Sequence, residues 1–274
     1  MTTTTIPTPL ADVVGPSDRH LGPDLGLVLR QVRFEQRAFW RNRTRAFFSV
    51  AFALVFLVVF NAINGGHRID ELGGISYATW FVPGILAYGL IMATFQNLAT
   101  STAIARDAGV LKRLRGTPLP AWAFLAGRIL ATLVTAAILV AATLALGVFA
   151  YGVEIRTATL PGLVLTLVLG SACFTSLGLA VTTIIPNAEA APAITNVLIL
   201  PLTFISGIWM VLAHAPAWLS TTARIFPVRA LAHGLQTAFD PATPGHGVVG
   251  GDLLVLGAWT LAAVAVSLRW FRWE

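Results

Sequence analysis

Charge is what this 274-residue chain has least of. Only 11% of its residues are Asp, Glu, Lys or Arg, against 56% hydrophobic residues and a mean hydropathy of +0.78. Soluble domains average about 25% charged residues. Windows such as 190–223 carry no charged side chain at all. A soluble fold of this length has no scheme for burying such windows, whereas roughly 20 apolar residues suffice for one membrane-spanning helix. The deficit therefore predicts a multi-span, all-α membrane protein. Cysteine is nearly absent too: the lone Cys173 excludes an internal disulfide and a cysteine metal cluster. Catalytic signatures are missing, with no HExxH, no GxSxG and no Walker phosphate loop. His67, His214, His233 and His246 show no regular metal-ligand spacing. The apolar runs hold no acid at mid-depth, which disfavours an ion-coupled carrier, and no inverted repeat is apparent. Residues 1–23 lack the apolar centre of a signal peptide and read as a disordered tail.

The organising stretch is 103–118, AIARDAGVLKRLRGTP, with Arg106, Lys112, Arg113 and Arg115 inside ten positions. It separates two runs apolar enough to cross a membrane. A short basic segment held at the end of a membrane hairpin is where a soluble partner can push on the spans. Upstream, 24–45 shows helical periodicity. Leu25, Val28, Leu29, Val32 and Ala38/Phe39 fall near one face, and Arg30, Arg33, Arg37 and Arg41 recur every three or four positions. This pattern predicts an amphipathic helix in the headgroup plane, capped by Asp24. Domain organisation follows as a tail (1–23), this helix (24–45) and a six-span domain (46–274).

The spans are expected near 46–63, 78–99, 122–151, 160–185, 193–212 and 253–268. Phe48, Phe52, Phe56 and Phe60 step by four along the first; the stripe suits helix packing and a cargo-facing wall about equally. A polar exit loop follows the first span. Gln96 and Asn97 in the second span, and Asn196 and Thr203 in the fifth, are polar groups at membrane depth. They are candidates to line a path, or to bond helix to helix. Arg128 is expected to snorkel to the basic side. Segment 216–239 is too short to cross twice and is split by Pro227. It reads as a re-entrant hairpin with Trp218, Phe226 and Arg229 at its gate.

Six spans put both termini on one side. Fourteen of the eighteen basic residues fall on the side of the termini and of the 103–118 segment; Arg68, Arg156, Arg224 and Arg229 fall on the other. The positive-inside rule then places the termini and the basic segment in the cytoplasm. The net charge of +6 is accounted for by topology, so a nucleic-acid partner is not expected.

Three stretches carry a family resemblance. ARDAGVLKRLRGTPLPAWAFLAGRIL (105–130), FVPGILA (81–87) and PLTFISGIWMVLAHAPAWLSTTARIFPVRALAHGLQ (201–236) stand in the order and spacing of type-2 ATP-binding-cassette exporter permeases. The likeness extends from about residue 25 onward and is similar to the daunorubicin/drug-resistance permeases. The sequence departs from the family pattern at Ala105, where an acid is frequent, and at Val211, where a proline is frequent. The resemblance implies a coupling helix at 103–115, with Arg106, Asp107, Lys112, Arg113 and Arg115 seated on a motor. It implies an elbow helix carrying Arg30, Arg33, Arg37 and Arg41, and a path beside Phe52, Phe56, Gln96, Asn97, Asn196 and Thr203. It also implies a second permease copy or a sister permease, and a separate nucleotide-binding ATPase subunit. This chain would hold no cofactor; ATP and Mg would sit on that partner. The cargo would be a small hydrophobic or amphipathic compound leaving through a bacterial inner membrane. A polysaccharide, lipid-linked glycan or peptide exporter shares the pattern, and a non-transporting scaffold or channel subunit is the reading from another class.

Overall fold

The computed structural model describes residues 25–47, 51–64, 66–110, 121–212 and 215–270. Helix α1 (Leu25–Arg41) is followed by a short helical turn (Arg43–Ala46) and α2 (Phe52–Asn64). A two-residue hairpin, β1 (Arg68–Ile69) and β2 (Ile75–Ser76), leads into α3 (Tyr77–Asp107). Then come α4 (Ala121–Tyr151), α5 (Leu160–Val181), α6 (Ala190–Ile205), α7 (Ala217–Ile225), α8 (Pro227–Phe239) and α9 (Gly250–Trp270). Four of these, α3, α4, α5 and α9, are long and apolar enough to cross a membrane. Helices α2 and α6 are shorter apolar helices.

Helix α3 is the spine. It starts at a side-chain cap, with Ser76 Oγ accepting from the Thr79 amide. Phe81, Val82, Ile85, Leu86, Leu90 and Ile91 are all fully buried. A helix apolar on every side has to be surrounded, and α2, α4, α5 and α8 do so. A π-helical segment interrupts it at Met92–Gln96. Helix α4, at 31 residues, is about 46 Å long, beyond the ~30 Å of a hydrocarbon core. Helix α9 lies at the rim against α5 and α8, presenting Leu254, Leu261 and Leu268 outward.

Contacts sort the helix ends into two groups. At the basic end the close of α3 meets the α5–α6 turn, and α1 lies along the start of α4. At the opposite end Arg156 donates to the carbonyls of Pro241 and Thr243, and Arg229 to that of Ser206.

Several sequence expectations need correction. The polar exit loop contains the small antiparallel ladder, Arg68 against Ser76 and Ile69 against Ile75, closed by a 3-10 turn at Asp70–Leu72. Helix α6 stops at Ile205 instead of reaching 212. Gly207 adopts φ +83, a left-handed conformation that ends the helix at little cost. The chain leaves the helix there and buries Ile208 completely, its carbonyl close to Gly84. On α1, Val28 and Phe39 are buried, whereas Leu29 and Ala38 lie exposed on the other face. Helix α5 ends at Val181, short of 185. The expected cap Asp24 and the stripe residue Phe48 lie outside the described residues.

Candidate coupling face and opposite-end cavity

At the basic end α3 runs out of the bundle and carries Arg106 and Asp107 on its last turn. Both side chains turn toward the connection between α5 and α6. The Arg106 guanidinium donates to the carbonyls of Thr182 (3.1 Å) and Ile185 (2.5 Å). Those carbonyls belong to the unwinding end of α5, where backbone acceptors lose their helical partners. Asp107 accepts from the Ala188 amide at 2.5 Å and lies 3.7 Å from Arg106 Nε. A planar fork spanning two acceptors and a carboxylate holding the next amide together staple the turn at 182–188 to the end of α3. Beneath them Ala99, Ala103, Ile185 and Ala191 form a small separate apolar cluster. The chain continues to Val110, which is exposed. Lys112, Arg113 and Arg115 lie outside the described residues.

Helix α1 docks on α4 through close approach and a polar seam. A Cβ on Gly127 would sit 2.5 Å from the Gln31 side-chain stem, so only glycine lets the two helices meet here. Gln36 donates to the Ala131 carbonyl and to Thr135 Oγ1. Glu35 lies 4.0 Å from Arg128 Nε, and Arg128 donates to the Ser101 carbonyl at 2.8 Å. Arg128 is 7% exposed and rests over the Phe124 ring. It therefore does not snorkel; it ties α1, α3 and α4 together. Arg30, Arg33, Arg37 and Arg41 are all exposed on the far face of α1, free to meet a headgroup layer or a protein surface.

The path candidates separate. Gln96 donates to Asn196 Oδ1 at 2.9 Å, linking α3 to α6. Asn97, one residue on, lines a small polar cavity with Glu35, Ser101 and Arg128. Thr203 is fully buried and returns its hydroxyl to the Leu200 carbonyl. Phe52 and Phe56 do share a face: the rings lie 4.5 Å apart, and Phe56 meets Trp209 edge-on at 5.7 Å. Trp209 also touches Phe60, Tyr88 and Phe204, so the stripe ends in an aromatic cluster beneath the α6 break.

At the opposite end α7 and α8 form a helical hairpin split at Phe226, whose extended backbone precedes Pro227 at the start of α8. A proline opening a helix wastes no amide donor. The gate residues do not converge. Trp218 faces outward, Phe226 stacks on Trp259 of α9, and Arg229 points into a cavity of about 480 Å³. Burial pushes the Arg229 guanidinium below its ordinary range, and Asp252 acts against that shift. His233 pairs with Asp252 at 2.7 Å, joining α8 to α9.

No sequence pattern signals the Glu35–Arg128–Ser101 seam or the His233–Asp252 pair, because each joins helices far apart in the chain. The pattern around Arg106 was visible as charge, but its two carbonyl acceptors are backbone atoms and leave no mark in a sequence.

Comparison with known proteins agrees with this architecture. Residues 28–239 match the family model described as ABC-2 type transporter. The inner membrane transport permease YadH of Escherichia coli (strain K12) is 22% identical over 190 residues, covering 69% of this chain and 73% of that protein. The probable multidrug ABC transporter permease YbhR of the same strain is 24% identical over 155 residues, covering 57% of this chain and 42% of that protein. With the family match spanning most of its length and nearly every described helix, the chain belongs to the ABC-2 type transporter family as a transmembrane permease subunit.

Proposed function

We propose that this chain is the permease half of an exporter that moves hydrophobic or amphipathic compounds out across a bacterial inner membrane. Energy comes from ATP hydrolysed on a separate nucleotide-binding subunit. The observation that carries the reading is the staple at Arg106 and Asp107. It gives the basic segment a rigid grip on α5 and α6, so force applied near 103–115 moves those helices rather than a slack loop. In this reading α1 is the elbow helix, α2 and α6 complete a six-span bundle, and α7–α8 is a re-entrant hairpin. Both termini face the cytoplasm, and two permeases, identical or paired with a sister chain, frame the path. Closure of the ATPase subunits brings the two coupling segments together and shifts the bundle between two states.

Two names among the relatives fit the location and the cargo class: YadH as an inner membrane permease and YbhR as a probable multidrug permease. The aromatic cluster ending at Trp209 suits an apolar cargo, since ring faces offer contact without demanding a fixed hydrogen-bond pattern.

The test is affinity capture of the chain from its native membranes with any nucleotide-binding ATPase subunit it holds, followed by transport into inside-out vesicles. The expected result is a stable complex whose ATP-driven uptake of a lipophilic dye depends on both chains. Absence of any co-purifying ATPase, or uptake that ignores ATP, would overturn the reading.

A further inference from the structure

Among the described residues, four arginines lie at the end opposite the coupling face, Arg68, Arg156, Arg224 and Arg229. Two of them are occupied with loop carbonyls: Arg68 donates to Gly74, and Arg156 to Pro241 and Thr243. The other two, Arg224 and Arg229, share a cavity with His233. They flank the Phe226–Pro227 break, one on the last turn of α7 and one on the first turn of α8. Arg229 spends one nitrogen on the Ser206 carbonyl. Among the described residues, Arg224 makes no hydrogen bond and no ion pair, and it faces Arg229 closely enough to oppose its charge.

Two carboxylates are near. Asp252 closes an adjoining hollow of about 330 Å³ and is engaged with His233. Asp240 lines the same cavity from the far end of α8, eleven residues beyond Arg229, or about 16 Å along a helix, with one oxygen held by the Ala242 amide. Both guanidiniums and the imidazole line the adjoining hollow with Asp252, and Asp240 lines the main cavity away from them, so the positive charge is gathered at the Arg224–Arg229 edge. The same cavity is lined by the apolar side chains of Leu72, Ile75, Trp80 and Met210. A cationic edge in a cavity with apolar lining matches an amphiphile whose polar end is an anion. Guanidinium pairs hold phosphate and carboxylate oxygens by forked, charge-assisted bonds.

We infer that the cavity between the α7–α8 hairpin and the β-hairpin is a binding site for an acidic headgroup, a phosphate or carboxylate on an apolar tail, held by Arg224 and Arg229. The headgroup belongs either to the transported compound or to an anionic lipid of the adjacent leaflet. The first source rests on the exporter reading above; binding itself does not.

The experiment uses the full chain purified in dodecyl maltoside, with dodecyl phosphate as probe and dodecyltrimethylammonium as its cationic counterpart, read by calorimetry. The expected result is saturable binding of dodecyl phosphate, weakened about tenfold in Arg224→Gln by loss of one charge-assisted contact. The cation should show no saturable binding. Arg224 is exposed at a helix end, so its replacement leaves the fold standing. Arg229→Lys, which keeps the charge and loses the fork, should weaken binding as well. Repeating the titration in nanodiscs with and without phosphatidylglycerol separates the sources. Competition by that lipid identifies a lipid site, and its absence identifies a site for other acidic amphiphiles. Equal affinity in wild type and Arg224→Gln, equal affinity for the cation, or no binding of dodecyl phosphate would overturn the site. ATP-driven dye uptake by the complex, measured in parallel, judges the exporter reading independently of these titrations.

Discussion

Replacing Arg106 with alanine removes the two donors that hold the Thr182 and Ile185 carbonyls. Hydrogen bonds to a charged group contribute about 1.5–3 kcal/mol each. The Arg106 side chain is 15% exposed, so water reaches the vacated carbonyls and recovers part of that sum. A net loss of about 2 kcal/mol is reasonable, which shifts the balance between a stapled and a loose turn by about thirtyfold. Asp107 and its bond to the Ala188 amide remain, so the turn loosens without the helices parting. The assay is the complex with its ATPase subunit in proteoliposomes, scored as cargo moved per ATP hydrolysed. That ratio should fall severalfold in Arg106→Ala. Arg106→Lys, which keeps the charge but cannot span both acceptors, should fall in between. Limited proteolysis of the 182–188 turn should speed up in parallel. A wild-type ratio with wild-type protease resistance in Arg106→Ala would refute the staple as the transmitting contact.

Further consequences follow from the sequence and from the geometry. Charge reversal at both Lys112 and Arg113 should detach or uncouple the ATPase subunit while leaving the spans inserted, as co-purification and membrane flotation would report. Glu35→Ala leaves the buried Arg128 without its carboxylate; because Glu35 is partly solvated, a cost of about 2 kcal/mol is expected as a lower thermal midpoint in detergent. Gly127→Ala drives a methyl into the Gln31 stem and should cost about 1–3 kcal/mol, with α1 becoming protease-sensitive. Asn196→Leu strands the Gln96 amide and should weaken export together with stability, whereas Asn97→Leu, on the other side of α3, should act through α1.

The helices were legible where composition alone decides. The buried spine α3 and the long α4 are runs that water cannot accommodate, and the hairpin split at Pro227 announces itself through the proline. Backbone conformation was less legible. Nothing in the order of residues 201–212 says that Gly207 takes a left-handed φ and sets Ile208 against Gly84; an unbroken span reads equally well there. The β1–β2 ladder is only two residues long on each strand, too short for an alternation to register. Long-range polar pairs stayed hidden for a different reason. Arg128 beside an apolar run suggests snorkelling, and only the arrival of Glu35 and the Ser101 carbonyl from distant segments makes burial affordable. The charge of Arg106 was visible, but its direction was not: the motif reads as a surface for a partner, and the side chain grips its own α5–α6 turn.

In the proposed mechanism residues 103–115 act as a cytosolic lever driven by an ATPase subunit. Val110 is exposed on that segment, and the only native cysteine, Cys173, is buried. A Val110→Cys variant therefore offers a single accessible thiol for a membrane-impermeant maleimide and a short cross-linker. Labelling is expected in inside-out vesicles but not in intact spheroplasts, together with a cross-link to the ATPase subunit that blocks ATP-driven transport. Labelling from the outer face, or full access with no ATPase subunit within cross-linking reach, would contradict it.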